Sequence, residues 1–473
     1  MRWHYLGHAM WLLELGMAST RILFDPLLDD VHDAGLSRLV PARVLDREGL
    51  APDFIVVSHR HPDHFDVDSL AWLARQDPES VVLTADAFVA EVCRELGFLR
   101  AQVLDTWQSV ELADGALLTT PSHGTATEWG IAVISAEGVA WNHVDSVLGG
   151  PERVGRTLEV LRGAAGQGVD LHLARWCPVL EVAPQLAGAI GFPRGSYAEQ
   201  LRALARLGAE EPTVVAPAAA SVIPNAPYDS LASNAFPVTP ERFARDLAAL
   251  APSLNRLDLE VGDLITLERG QVEHLQRASP LVQRRGSARL PTFVPFEVPV
   301  LWDPEASVKG CEASEIRDWL ENRLAPRLAA LAEDTVPLAL CLQVRGGLQA
   351  RGNLEPRGSI QADGCQAVDT WTWTLQLRGG GCAVRDGLDP DYDQLVTVTR
   401  TGLGRVLSGR SSWGELLLSG QLRCSDRAFR VRDGDLQRVS WLPALFVYAC
   451  PGYEHSFEVA VRRRVARLLR DVR

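Results

Sequence analysis

The sequence predicts an α/β protein: a layered αββα sandwich in the first part of the chain, with a second α+β domain behind it. Two observations carry that prediction. Short apolar runs alternate with amphipathic helical stretches from residue 1 to about residue 278, the order expected of helices covering sheets rather than of a bundle. A Pro- and Arg-rich piece over residues 279–303 then reads as a linker, and the remainder, 304–473, runs helix, several strands, helix. With 473 residues the chain can bury large cores without disulfides or a structural metal.

The elements follow in order. "AMWLLELG" and "STRILFDP" carry apolar residues on either side of a turn and read as a hairpin feeding a sheet. Phe54 to Val57 is an apolar strand; a histidine-rich loop follows, and Asp66 is placed to cap a helix whose Leu70, Leu73 and Ala74 share one face. "SVVLTA" is a strand and "DAFVAEVCRELG" a helix opened by Asp86. "AQVLD", "QSVEL", "ALLTTP", "GIAVIS", "GVAWNHVD", "VDLHLA" and "PTVVAPAAA" are further short strands, the last of them after the helical "SYAEQLRALARLG". "TPERFARDLAALAPSL" is a helix capped by Thr239, and "LDLEVGDLITLERGQVEHL" reads as strands joined by Gly turns. In the second domain "CEASEIRDWLENRLAPRLAALAE" is a helix interrupted by Pro326. Strands follow, among them "DTWTWTLQL", whose Trp371, Trp373 and Leu375 share a face, and "SFEVAVRRRVARLLRDV" closes the chain as a basic amphipathic helix suited to solvent or to an acidic surface.

Composition narrows the function classes. A formal charge of -13 does not favour a phosphate backbone as partner, so no nucleic-acid role is expected. The eight cysteines are dispersed with no C-x-x-C and read as reduced. Histidines and Glu14 interrupt the apolar N-terminus, no small-residue cleavage site follows it, and no segment has bilayer-spanning length. A cytoplasmic protein without membrane contact is expected, its oligomeric state open.

Nine of the eleven histidines lie between His4 and His172, which places the chemistry in the first domain. Ser58 to Asp66, "SHRHPDHFD", concentrates three histidines and two aspartates after an apolar strand. If the backbone stays extended through His61, the imidazoles of His59 and His61 point to one side, ready for one metal. Asp63 and His64 lie past the turn at Pro62 and approach from another direction, where a second metal can use them. Neutral imidazole and carboxylate suit zinc and iron alike. His123, between Ser122 and Gly124 at a strand end, is a further exposed ligand candidate.

H-x-H-x-D-H after a hydrophobic strand resembles the metal motif of the metallo-β-lactamase superfamily, and Gly7, His8, Asp25 and Pro26 resemble the opening of its hydrolase branch. The resemblance implies two divalent metal ions. His59, His61 and His123 then bind the first, Asp63 and His64 the second, and Asp145 in "VAWNHVDS" bridges them. Asp63 and Asp145 become the catalytic candidates, joined by His143 as a stand-in ligand or a neighbour of the ligands.

The superfamily supplies one more histidine after a late strand, where this chain has Ala218, Ala219, Ala220 and Ser221. That departure is similar to the metallo-β-lactamase-like portion of the CMP-N-acetylneuraminate hydroxylase family, as are Pro217, Asn234, Phe236 and Pro237 and the segment holding Arg175, Trp176 and Pro178. No C-x-H paired with C-x-x-H occurs, so no Rieske domain is expected. The resemblance implies a non-heme, di-iron oxygenase or related oxidoreductase acting on a small molecule, with iron favoured over zinc and electrons drawn from the substrate or a separate donor. Zinc-dependent hydrolysis is the alternative, and a metal-stabilised binding protein a further one. His8, Arg175, Trp176, Tyr228 and Asn234 are the candidates for a substrate pocket, and His172 reads as structural.

Overall fold

The computed structural model describes residues 1–176, 194–210, 213–225, 238–290, 310–331, 338–346, 370–426, 429–438 and 453–470, less a few short internal gaps. Arg2–Gly7 (β1), Met10–Leu15 (β2) and Thr20–Phe24 (β3) form the antiparallel meander that the paired apolar runs predict. Phe54–Val57 (β4), Val81–Thr84 (β5) and Arg100–Val103 (β6) extend it in parallel. A second sheet begins as an antiparallel run of Ser109–Leu112 (β7), Gly115–Pro121 (β8), Trp129–Ser135 (β9) and Gly138–Asn142 (β10). It continues in parallel through Leu171–Arg175 (β11), Val214–Ala218 (β12) and Asn255–Arg256 (β13). Leu264–Glu268 (β14) and Gln271–Leu275 (β15) then return to the first sheet, β14 pairing antiparallel with β1.

Period-two alternation explains the layering. Ile131 and Val133 of β9 point into the core shared with the first sheet, while Ala132 between them belongs to a second core. Leu171 and Leu173 likewise face the first sheet and Ala174 the other side. Helices Val67–Gln76 (α1) and Ala87–Leu96 (α2) join the first core, and Pro151–Ala165 (α3), Arg194–Glu210 (α4) and Pro240–Leu250 (α5) cover the second. The layers are therefore helix, sheet, sheet, helix. The expected caps are in place: Asp66 accepts from the Ser69 N–H, Asp86 from Phe88 and Thr239 from Arg242.

Two features add detail to the expected organisation of the chain. Val282–Arg285, inside the expected linker 279–303, pairs antiparallel with Ala42–Leu45, so the first domain keeps the chain through Arg285. The helix expected to be interrupted by Pro326 changes its winding just ahead of that residue and then continues. Ala313–Trp319 (α6) passes through a π-helical stretch at Leu320–Leu324 into Ala325–Leu331 (α7), the wider turn preceding the residue that lacks an N–H.

The C-terminal sheet orders Gly381–Asp386 (β18), Thr370–Arg378 (β17), Leu338–Arg345 (β16), Gln394–Thr399 (β19) and Leu422–Asp426 (β20), with β16 and β19 parallel. Trp373, Leu375 and Leu377 pack in its core with Trp319 and Trp413. Arg400–Leu407 (α8) follows β19. The last helix, Tyr453–Arg470 (α9), docks on the first domain. Phe457 sits 6.5 Å from Phe65 and 6.2 Å from Phe88 by ring centroids, Val461 and Val465 enter the first core, Arg464 pairs with Asp68 and Arg462 with Glu91. The basic face predicted for this helix meets an acidic surface. No helix among the described residues is long and apolar enough to cross a membrane.

Candidate metal centre

Five strand ends converge on one edge of the sandwich. His8 lies in the β1–β2 turn, Asp25 follows β3, Ser58 to Asp66 link β4 to α1, His143 and Asp145 follow β10, and Arg175 closes β11. His8, Asp63 and His64 bring one ligand atom each within 4.8 Å of one another, and so do His59, His64 and Asp145. His61 stands at the solvent side, its Nδ1 2.8 Å from His59 Nε2.

Hydrogen bonds behind the cluster fix how its rings present themselves. Asp25 Oδ1 accepts from the Ser58 backbone N–H at 2.8 Å, and Asp25 Oδ2 accepts from the Ser58 hydroxyl and from His64 Nδ1, both at 2.9 Å. With its proton given to Asp25, Ser58 Oγ accepts from His59 Nδ1 at 2.9 Å. Both imidazoles therefore carry the outward proton on Nδ1 and turn Nε2 into the cluster, the tautomer a metal ligand needs.

Charge at the centre favours a cation. Burial lowers the affinity of His64 for a proton, but Asp63, then Asp25 and Asp145, outweigh it and hold the imidazolium well above the ordinary histidine range. Burial pushes the Asp63 carboxyl up, but His64 and His8 overcome this and keep it well below the usual range. For Asp145, burial is overcome first by Arg175 and then by His64, again holding it ionised. His59 is pressed well below its ordinary value by burial and by the neighbouring His64 and His61. In the absence of a metal, a proton on His64 supplies the positive charge that these carboxylates demand.

The residues fit a metal by an independent criterion. Nε2 of His64 is buried without a hydrogen-bond partner, a costly state for a polar atom. His64 Nε2 faces Asp63 Oδ2 at 3.6 Å and Asp145 Oδ2 at 3.4 Å, a set of donors that a cation satisfies together.

The other candidates fall into place around this cluster. His123 does not join either ligand group. Its N–H bonds the Val147 carbonyl at 2.9 Å, pinning the loop to that turn, and its exposed ring lies beside Gly149 and feels Arg153. His143 is not free to ligate. Its Nε2 accepts from the Arg175 N–H at 3.1 Å, so its proton sits on Nδ1 and goes to His172 Nε2 at 2.5 Å; burial and then Arg175 keep the ring neutral, lowering it to about 3. His172, stacked on Trp141, has the structural role expected of it. Arg175 does face the site, donating from Nη1 to the Asp145 carbonyl at 3.0 Å. Trp176 does not: it is buried, donates its indole N–H to the Ala219 carbonyl, and lines a small cavity with Tyr5, Pro217 and Ser221. Tyr228 and Asn234 lie outside the described residues.

Two residues of the neighbourhood carried no signal in the sequence. Glu128 is hydrogen-bonded by the Ser122 hydroxyl at 2.5 Å; burial raises its carboxyl, and both Asp145 and His61 act on it electrostatically. His32 is buried with both ring nitrogens unpartnered, lowered to about 4 by burial, and lies within the influence of Asp63 and His8. Neither stands in a motif, and only the folding of distant loops brings them to the cluster. A cavity of about 710 Å³ lies instead in the C-terminal region, lined by Trp319, Trp413, Arg323 and Arg405 among others, with no part of the histidine cluster in it.

Strand-end histidines and aspartates held between two facing sheets define a metal-dependent enzyme of the αββα class. Residues 20–141 match the family described as "Beta-lactamase superfamily domain". That match lies within the sandwich and supports the metallo-β-lactamase superfamily for the N-terminal domain. Similar solved structures include an isothiocyanate hydrolase from Delia radicum gut bacteria, 18% identical over 57% of this chain and 100% of that one at a TM-score of 0.40. A possible metal-dependent hydrolase from Veillonella parvula is 17% identical over 56% and 99%, TM-score 0.41. CmlA, a diiron β-hydroxylase from Streptomyces venezuelae, is 15% identical over 46% and 44%, TM-score 0.31. No curated protein matches the chain.

Proposed function

We propose that the protein is an iron-dependent oxygenase, with two iron ions at this centre, acting on a small molecule. One observation carries the choice of iron and oxidation over zinc and hydrolysis: the chain supplies no histidine after the late strand, which leaves Asp63 and Asp145 beside the clustered imidazoles and a coordination position open. The late strand β12 ends in Ala218 and Ala219 where a histidine is expected, His123 stands outside, and Glu128 lies within the electrostatic reach of Asp145 and His61. Hard oxygen donors with a few imidazoles suit iron. Bound iron supplies activation of dioxygen, one atom of which enters the substrate while the other leaves as water, with two electrons from a separate reductant.

The chain's own part is positioning. Asp25 and Ser58 hold His64 and His59 in the ligating tautomer, Asp63 and Asp145 stay ionised, and Arg175 anchors the Asp145 turn. His59, His61, Asp63, His64 and Asp145 are the proposed ligands, with Glu128 ahead of His123 for the remaining place.

Hydrolysis with zinc is the second reading, favoured by the contact of His59 and His61 at 2.8 Å beside an ionised Asp63, the arrangement the hydrolase branch shares. Metal analysis of protein purified without added metal separates the two. Two irons per chain, with an optical or Mössbauer signature that changes on exposure to oxygen, support oxidation. Two zincs and turnover of an ester or phosphodiester overturn it.

A further inference from the structure

The segment after β12 brings no imidazole to the cluster, and a histidine from the other end of the domain fills the space beside it. Ala219 donates its N–H to the His8 carbonyl at 3.1 Å, and Ser221 donates its N–H to His8 Nδ1 at 3.2 Å. The β1–β2 pairing shifts register between Tyr5 and Gly7, and His8 itself adopts φ of +53°, the left-handed region that side chains other than glycine rarely occupy. That strained turn buries the ring almost completely and aims Nε2 at the cluster, 3.1 Å from Asp63 Oδ2, with the ring centroid 5.0 Å from that of His64.

A neutral imidazole has one N–H and one lone pair. A backbone amide only donates, so the Ser221 N–H fixes the lone pair of His8 on Nδ1 and its proton on Nε2. His59 and His64 are held the opposite way, with Nδ1 protonated towards Ser58 and Asp25. Coordination requires the lone pair on the inward nitrogen, and His8 has none there.

We propose that His8 replaces the missing imidazole in space but not in role: it is a fixed hydrogen-bond donor at the centre, and not a metal ligand. Its Nε2–H serves oxygen, namely the Asp63 carboxylate and the oxygen atom of substrate or solvent that takes the coordination position left open on that side. The position's openness rests on the two-metal reading above; the tautomer rests on Ser221 alone. The site thereby selects an oxygen-bearing, hydrogen-bond-accepting group on the substrate beside Asp63, whereas a fourth imidazole ligand closes that position.

The test uses the full chain labelled with [15N]histidine and long-range proton–nitrogen correlation at neutral pH, metal-free and after loading with zinc as a diamagnetic probe. His8 is assigned by the signals lost in His8→Asn, with His8→Gln as a second variant if the first does not fold. The expected result is an Nε2-protonated His8 in both states, while His59 and His64 show Nδ1 protonation when loaded. An Nδ1-protonated His8 with a metal-shifted Nε2 overturns the proposal. Zinc stoichiometry is the second readout. His8→Asn keeps the wild-type number of ions, with affinity lowered by at most about 10- to 100-fold, as for loss of an outer hydrogen bond; loss of one ion per chain overturns the proposal. A wild-type chain that binds no zinc refutes the metal reading instead, and the metal-free spectra then decide the tautomer by themselves.

Discussion

Asp25→Asn isolates the outer support of the centre from its ligands. Asp25 is fully buried and sits at φ of +41°, a region asparagine tolerates, so the backbone is not at issue. The amide oxygen can keep the Ser58 N–H, which Asp25 Oδ1 accepts at 2.8 Å. The amide nitrogen then replaces Oδ2 and meets two groups that now donate to it, His64 Nδ1 and the Ser58 hydroxyl, each 2.9 Å away. Ser58 can turn its proton elsewhere. His64 can accept from the amide only by moving its own proton to Nε2, the nitrogen that faces Asp63 and Asp145. The variant therefore holds His64 in the tautomer that cannot ligate. Outer-shell partners of ligating histidines are worth about 10- to 100-fold in metal affinity, or about 1.4 to 2.7 kcal/mol, and the tautomer switch places this variant at the upper end. Competition against a chromophoric chelator measures it, with circular dichroism confirming the fold. Affinity within about twofold of wild type in a folded variant refutes the assignment of Asp25 as the orienting partner of His64, and with it the tautomer argument for the cluster.

Three further outcomes are expected. Glu128→Gln lowers metal affinity by about tenfold or more while His123→Ala leaves it nearly unchanged, and the reverse order in the same chelator assay restores His123 as the ligand. In metal-free protein, the raised His64 contributes stability that is fully present below about pH 6.5 and is lost as pH rises through its higher folded value. The depressed Asp63 and Asp145 contribute stability present above about pH 3.8 and lost as pH falls through their folded values. His59, His143 and His172, held low, oppose this by losing stability as pH falls below about 6.5, so the His64 contribution is read after chelation as the stability gap between wild type and His64→Gln, which should narrow as pH rises, whereas metal, which competes with the His64 proton, should bind more tightly as pH rises; a gap that widens on the alkaline side sinks this. Phe457→Ala removes a half-buried ring lying near Phe65 and Phe88 and should cost about 2 kcal/mol in denaturant unfolding, and a change within 0.5 kcal/mol, the range of about a typical surface substitution, removes the docking of α9 as a source of stability.

Much of the first domain was legible because its signals are local. The β1–β3 meander, the caps at Asp66, Asp86 and Thr239, and the alternating faces of β9 and β11 follow from residues within a few positions of one another. The same holds for the histidine motif, where four donors share one loop. What the sequence did not disclose is held by long-range pairing: Val282–Arg285 against Ala42–Leu45, β14 against β1, and Ser221 against His8 across 213 positions. His123 shows the converse case. A histidine at a strand end after the right interval is a reasonable ligand by pattern, but its loop is tied to Val147 by backbone hydrogen bonding, which no spacing reveals. Trp176 lines a small cavity beside Tyr5 and Ser221 while its indole N–H finds a carbonyl inside, a placement that a tryptophan beside an arginine at a strand end does not disclose.

The residues of "SHRHPDHFD" outside the proposed ligand set have a role of their own. Arg60, between the two histidines of the first pair, holds Asp86 at the N-terminus of α2 and reaches Glu458 of α9 at 3.6 Å. Phe65 meets Phe457 of the same helix, and Asp66 caps α1, whose Asp68 pairs with Arg464. One face of the loop thus presents ligands while the other is the docking surface for the last helix of the chain. Of the residues that α9 touches in the first domain, Arg60 and Phe65 each stand next to a proposed ligand. Arg60→Ala tests whether these contacts couple the helix to the centre: metal affinity is expected to fall together with α9 docking, and docking that weakens with unchanged affinity refutes the coupling.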